Sequence, residues 1–130
     1  MIHLKIITPQ GLYTECDVEA VRVRSVEGEM TVLPMHTPLV AMLETCKLSL
    51  MMQGQYHDYA LAGGLLYLAQ DEMKILSDAI EGQAEIDVER AKKAMERAQR
   101  RMEKKDSKTN LMRAQVALAK AINRINVSGK

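Results

Sequence analysis

The chain contains neither Phe nor Trp, and its four Tyr bring aromatic residues to only 3% of the sequence. That scarcity removes the stacking platforms on which proteins lay out bases or sugars. Long apolar runs are also missing. Ile6-Ile7 is broken by Thr8-Pro9, and the run from Leu65 to Ala69 by Gln70-Asp71-Glu72. Neither approaches the ~20 residues of a membrane-spanning helix. The first residues, Met1-Ile2-His3-Leu4-Lys5, have no basic leader and no cleavable apolar core, so no signal or transit peptide is expected. Only two cysteines occur, Cys16 and Cys46, 30 positions apart, without a CxxC and without a His at ligand spacing. They read as small reduced core residues rather than as a metal site or a disulfide. No phosphate-binding GxxxxGK[ST] pattern and no Ser-His-Asp arrangement are present. Catalytic residues and a metal centre are therefore not expected.

Charge of one sign is lacking only on average. The 130 residues carry a net charge of +1. Residues 1–84 hold 5 basic and 11 acidic side chains, net −6, whereas residues 85–130 hold 13 basic and 6 acidic, net +7. All three Pro, all four Tyr and six of the seven Gly lie in the first part. A composition change this sharp places a domain boundary near residue 84.

Residues 1–84 read as strands. Val21-Arg22-Val23-Arg24 alternates apolar and charged residues, and the same period recurs at Cys46-Lys47-Leu48-Ser49-Leu50 and Met73-Lys74-Ile75-Leu76-Ser77. Turn residues punctuate these runs at Pro9-Gln10-Gly11, Glu27-Gly28-Glu29, Gln53-Gly54-Gln55 and Gln70-Asp71-Glu72. Short strands with regular turns indicate an antiparallel β-sandwich or barrel. Without Phe or Trp its core must be filled by Leu, Ile, Val and Met, with Met30, Met42 and Met52 as gap fillers. Gly63-Gly64 supplies either a turn or a close strand approach. Pro34 and Pro38 fix two φ angles and predict a rigid loop or edge around His36. His3 and His57 fall in strand-like stretches and read as structural.

From Asp87 the period changes. Val88, Ala91, Met95, Ala98 and Met102 are spaced 3, 4, 3, 4, and so are Leu111, Ala114, Leu118, Ala121 and Ile125. Lys105-Asp106-Ser107-Lys108 interrupts the two stripes. The pattern predicts an antiparallel αα-hairpin of helices 87–104 and 109–126, with Asp87 as the N-cap. Overall this is an α+β chain, a β-domain followed by a two-helix hairpin. Its seam is built on alanine, which buries little area, so the hairpin can open at modest cost. The outer face carries Arg90, Lys93, Arg97, Arg100, Arg101 and Lys104 on the first helix and Arg113, Lys120 and Arg124 on the second. So large a positive excess suits an acidic partner or a polyphosphate. A nucleic-acid or ribosome-associated adaptor is the competing reading of that charge, but the hairpin offers no aromatic side chain for base stacking.

The arrangement resembles the epsilon subunits of bacterial F-type ATP synthases. The likeness rests on Ile6-Ile7-Thr8-Pro9-Gln10-Gly11, on the Gly28-Glu29 to Pro38-Leu39 segment with its Leu-Pro-x-His-x-Pro-Leu ending, on Leu61-Ala62-Gly63-Gly64, and on Ile86-Asp87-Val88-Glu89-Arg90-Ala91. It departs from the family where Thr31 and Met35 replace a common Gly and Leu65 a common aromatic. The resemblance implies a non-catalytic central-stalk subunit, peripheral on the cytoplasmic face of the bacterial membrane and held there through the complex. The β-domain would link the gamma subunit to the c-ring. The hairpin, extended among the catalytic alpha and beta subunits, would inhibit ATP hydrolysis. His36, Arg100, Arg101 and Lys104 are the implied partner-binding residues. The resemblance further implies that ATP is a regulatory ligand of the folded hairpin, at positions matching Glu81, Asp87, Arg90, Arg97, Lys120 and Arg124. Lys120 stands where an Arg is expected, and it lacks the bidentate fork for phosphate.

Overall fold

The computed structural model describes residues 1–104 and 108–129, with the side chains of 104 and 108–110 left out of the description. Of the inter-helix turn expected at 105–108, residues 105–107 lie outside the described residues and Lys108 is already helical. Eight strands come first: β1 (Ile2–Thr8), β2 (Gly11–Val18), β3 (Ala20–Ser25), β4 (Gly28–Val32), β5 (Leu39–Met52), β6 (Gln55–Ala69), β7 (Glu72–Leu76) and β8 (Ile80–Gly82). A short 3-10 turn, Gln83–Glu85, precedes α1 (Val88–Lys104) and α2 (Lys108–Ser128). The chain forms two compact units, Met1–Gly82 and Gln83–Lys130. No described helix is long and apolar enough to cross a membrane.

In the first unit the hydrogen-bonded path is β2-β1-β7-β6-β5-β3-β4, with β8 added beside β6. The ladders are antiparallel except that β1 runs parallel to β7. This departs from the wholly antiparallel expectation. A parallel pair cannot be joined by a short turn, and here the intervening strands provide the long connection. Alternation alone does not distinguish the two directions.

The path closes into a sandwich because β5 and β6 belong to both layers. The C-terminal half of β6 pairs with β7, while its earlier residues Tyr59, Ala60 and Leu61 pair with β8. In β5, Leu39, Ala41 and Leu43 face inward before the crossing, and Cys46, Leu48 and Leu50 after it. Inward residues of β6 change parity likewise, from Tyr59 and Leu61 to Leu66 and Leu68. Gly63 and Gly64, at φ 86° and 139°, mark the change. A Cβ on Gly64 would stand 1.9 Å from the Leu76 carbonyl oxygen, and one on Gly63 would stand 3.0 Å from that of Leu43. Of the two roles expected for this pair, close strand approach is the one realised; β6 continues through it without a turn.

The core is Ile, Leu, Val and Met, as the missing aromatics require. Ile2, Leu4, Ile6, Leu48, Leu50, Leu66, Met73 and Ile75 are all essentially inaccessible. Met30 and Met52 pack against this cluster as expected, but Met42 does not, being 64% exposed on the outer face. Cys46 is buried and Cys16 partly so, and neither is in a disulfide. Burial raises the pKa of each. Either thiol is thus less nucleophilic than an open one.

On the solvent side of β1 and β2, His3 lies between two carboxylates. Its Nδ1 is 2.8 Å from Asp17 Oδ1, and its Nε2 is 2.6 Å from Glu15 Oε2. A neutral imidazole has one N–H and can serve only one of them; the imidazolium serves both. The hydrogen bonds to Asp17 and then Glu15 accordingly raise the His3 pKa.

Two outcomes are expected from this geometry. The stabilisation from His3 is complete below the ordinary histidine pKa of about 6.5 and is lost as pH rises through the elevated folded value. Urea denaturation of the chain and of His3→Gln on both sides of that window should show their stability difference shrinking at higher pH; a constant difference would contradict the linkage. Gly64→Ala should cost at least about 3 kcal/mol, combining backbone strain with a clash. Gly54→Ala, at φ 77° with open space around it, should cost only about 1 kcal/mol. Equal losses in the same denaturation series would refute the close-approach role.

Candidate functional site

The outer face of the layer formed by β2, β1, β7, β6 and β5 follows from strand register. Met42 pairs with Leu65, Leu65 with Leu76, Leu76 with Ile7, and Ile7 with Leu12. This gives an apolar row five strands wide. Beside it runs a mixed row, Val40, Tyr67, Lys74, Lys5 and Glu15, paired in the same way. A third row joins Ala69, Glu72, His3 and Asp17. Solvent reaches Val40 (63%), Tyr67 (45%) and Leu12 (56%). A groove of about 790 Å³ runs over this face, with Ile7, Pro38, Val40, Tyr67, Lys74 and Leu76 among its walls. The face is therefore apolar at one end and charged at the other, a pattern suited to docking another protein.

Sequence reasoning did not locate this face, because Leu39-Val40-Ala41-Met42-Leu43 is apolar on both sides and hides which side is core. A signal existed all the same. A strand without polar alternation at the outside of a two-layer fold needs a second partner.

The second unit is the hairpin. Asp87 caps α1, its Oδ1 accepting the Arg90 N–H at 3.1 Å and its carbonyl accepting that of Ala91 at 3.0 Å. Ala91, Ala98, Ala114 and Ala121 are buried, with Met95, Met102, Leu111, Leu118 and Ile125 partly buried between them. These residues make the seam that the spacing predicts. Along the outside of α1 a concavity of about 680 Å³ is lined by Asp87, Arg90, Lys93, Arg97 and Arg100, with Glu89 and Glu96. The cations at 90, 93, 97 and 100 fall on one helix side. Glu96 moderates one of them, its Oε2 lying 3.9 Å from the Arg100 guanidinium.

Of the positions matched to nucleotide recognition, the structure gathers Asp87, Arg90 and Arg97 in that concavity. Lys120 and Arg124 lie on α2, both half-buried, and do not line it. Glu81 sits on β8 in the first unit. Among the partner-binding expectations, Arg100 lines the concavity, Arg101 is exposed on α1, and the side chain of Lys104 lies outside the described residues. His36 is exposed in the proline loop, its Nδ1 2.7 Å from the Thr37 carbonyl. Lys93, Glu89 and Glu96 complete the concavity without having been singled out as ligands. No group of three or more metal-ligating side chains occurs among the described residues.

Residues 1–83 match the family model described as ATP synthase, Delta/Epsilon chain, beta-sandwich domain. Residues 84–129 match the one described as ATP synthase, Delta/Epsilon chain, long alpha-helix domain. The ATP synthase epsilon chain of Halalkalibacterium halodurans is 38% identical over 130 residues, covering 99% of this chain and 98% of its own. That of Desulforamulus reducens is 36% identical over 126 residues, covering 97% and 96%. A solved mitochondrial ATP synthase of Euglena gracilis, comprising OSCP, F1 and c-ring, contains a chain similar at a TM-score of 0.79 and 25% identity, with 91% of this chain and 75% of that one covered. A chain in the central stalk and c-ring structure of the Tetrahymena thermophila mitochondrial ATP synthase shares the fold at a TM-score of 0.68 and 12% identity, covering 98% and 96%. With both units matched in order and over nearly their whole length, the chain belongs to the ATP synthase delta/epsilon family.

Proposed function

We propose that the chain is a non-catalytic subunit of the rotating central stalk of an F-type ATP synthase, docked between the gamma subunit and the c-ring. One observation carries the docking role: the five-strand apolar row on the outer face of the first unit. A protein working alone seldom leaves so continuous an apolar surface uncovered. The stalk and c-ring named for the structural neighbours supply a partner of the required kind. The subunit would be peripheral, on the cytoplasmic side of the bacterial membrane, and attached through the complex.

The hairpin is read as a brake on ATP hydrolysis. Its seam supports this, because each buried alanine contributes a single methyl, about 1 kcal/mol, and no aromatic side chain spans it. Helices held so lightly can separate and offer their cationic face to the catalytic alpha and beta subunits. ATP is the proposed regulatory ligand of the closed hairpin, its phosphates beside Arg90 and Arg97 in the concavity along α1. The volume of that space lies in the range of small-molecule sites. Asp87 takes part through its capping position rather than as a free carboxylate, and Lys120 contributes charge without a fork.

Ending the chain after Glu85 should raise ATP hydrolysis by the assembled catalytic sector above that seen with the full chain; unchanged hydrolysis would remove the brake. Calorimetric titration of the full chain should show saturable ATP binding, weakened about tenfold or more by Arg90→Ala or Arg97→Ala. An absence of saturation at millimolar ATP would exclude the regulatory ligand while leaving the stalk role standing.

A further inference from the structure

The docking face ends, beyond Pro38 and Ala69, at the loop between β4 and β5. This loop meets the two-residue turn that joins β6 to β7, where Ala69 is paired with Glu72 across Gln70 and Asp71. Both turn residues have positive φ, 52° and 59°, the geometry that suits a twisted hairpin and that normally selects glycine. Met35 in the loop opposite also has positive φ, at 66°. Three non-glycine residues in the left-handed region therefore meet at one end of the sandwich. A methionine does not choose that conformation unaided. Something must hold it.

Asp71 does so from both its ends. Its backbone carbonyl accepts the His3 N–H at 2.8 Å, which ties the turn to the start of β1. Its side-chain Oδ1 accepts the Met35 N–H at 2.6 Å. This short hydrogen bond to a carboxylate is of the charge-assisted kind. Pro34 and Pro38 restrict the loop on either side, and the His36 ring is drawn back onto the Thr37 carbonyl. The result is a braced tip on which Met35 is 90% exposed and Leu33 57% exposed. Backbone strain held in place beneath exposed apolar side chains is the mark of a preorganised contact.

We propose that Asp71 is the positioning residue of the 33–37 tip, fixing Met35 in its left-handed conformation so that the tip extends the apolar docking face. The occupant is assigned as the gamma-type stalk subunit, one of the two partners proposed for the docking body, since the groove reaches the foot of the tip at Pro38 on the loop side and at Ala69 and Glu72 on either side of the Asp71 turn. This assignment rests on the docking role proposed above. It also accounts for the departure at position 35: where a glycine would take positive φ at no cost, this chain has a methionine and a carboxylate to hold it.

The test uses the full chain with Asp71→Ala, Asp71→Asn, Met35→Gly, the Asp71→Ala/Met35→Gly double variant, and Val40→Asp. In the free protein, Asp71→Ala should move the φ-sensitive amide coupling of Met35 toward an extended value and speed its amide exchange about tenfold or more. Asp71→Asn, which keeps an oxygen acceptor, should restore most of both. Thermal unfolding should show Asp71→Ala costing less in the Met35→Gly background than in the parent; an equal cost in both would make Asp71 a turn residue only and overturn the proposal. Binding to the purified gamma-type subunit should weaken about three- to tenfold with Asp71→Ala, and no further when that change is added to Met35→Gly. Val40→Asp separates the docking face from the tip. Unchanged binding with Val40→Asp would refute the docking face itself, with the coupling and exchange data still deciding how Met35 is held. Binding lost with Val40→Asp but unaffected by Asp71→Ala would refute the tip.

Discussion

At Gly64 the backbone of β6 comes so near the Leu76 carbonyl that no side chain can stand between them. The sandwich depends on this contact. β6 must pair with β7 in one layer and with β8 in the other, and a strand that passes between layers has to change which of its residues face inward. Two consecutive glycines at positive φ make that change while the register to β5 stays the same on either side of them, from Leu43↔Gly64 to Thr45↔Ala62. With the change in place, Leu61, Leu66 and Leu68 all reach one core, and the even-numbered residues of the first half of β5 turn outward. The exposed apolar row is thus a consequence of the same crossing that closes the core.

The absence of Phe and Trp acts differently in the two units. In the sandwich it is compensated by number, because many Ile, Leu and Val side chains from all eight strands share a single buried cluster. In the hairpin little compensates for it, since the buried apolar positions among its described residues are four alanines and Val127. One unit is consequently a rigid platform and the other a pair of lightly held charged helices. The opposed net charges of the two parts, −6 and +7, fit that division, with a docking body on one side and a cationic arm on the other.

Much of this was legible from residue order. Asp87 sits where a helix N-cap must, and its carboxylate does cap α1. The seam residues are the ones the 3, 4 spacing selects, because helical periodicity is a local property of the chain. The turns at Gln53-Gly54 and Gln70-Asp71 also fall where the sequence signals them. The docking face was not legible. Met42 and Leu43 are equally apolar, and only the register across five strands shows that one is outside and the other inside. The spacing of seven places Arg90 and Arg97 on one side of α1, but residue order could not reveal that Lys120 and Arg124 do not line the concavity there.

Residue order alone therefore determined the two-part organisation, the αα-hairpin with its alanine seam, the alternation of most strands and the all-aliphatic core, since each follows from interactions among residues near in sequence. Tertiary structure decided the parallel pairing of β1 with β7, the outward turn of Met42, Leu65 and Tyr67, and the left-handed Met35 held from Asp71, 36 positions away. Those features arise where segments distant in the chain are brought within hydrogen-bonding range. No local pattern of side chains encodes which distant backbone will be there to meet them.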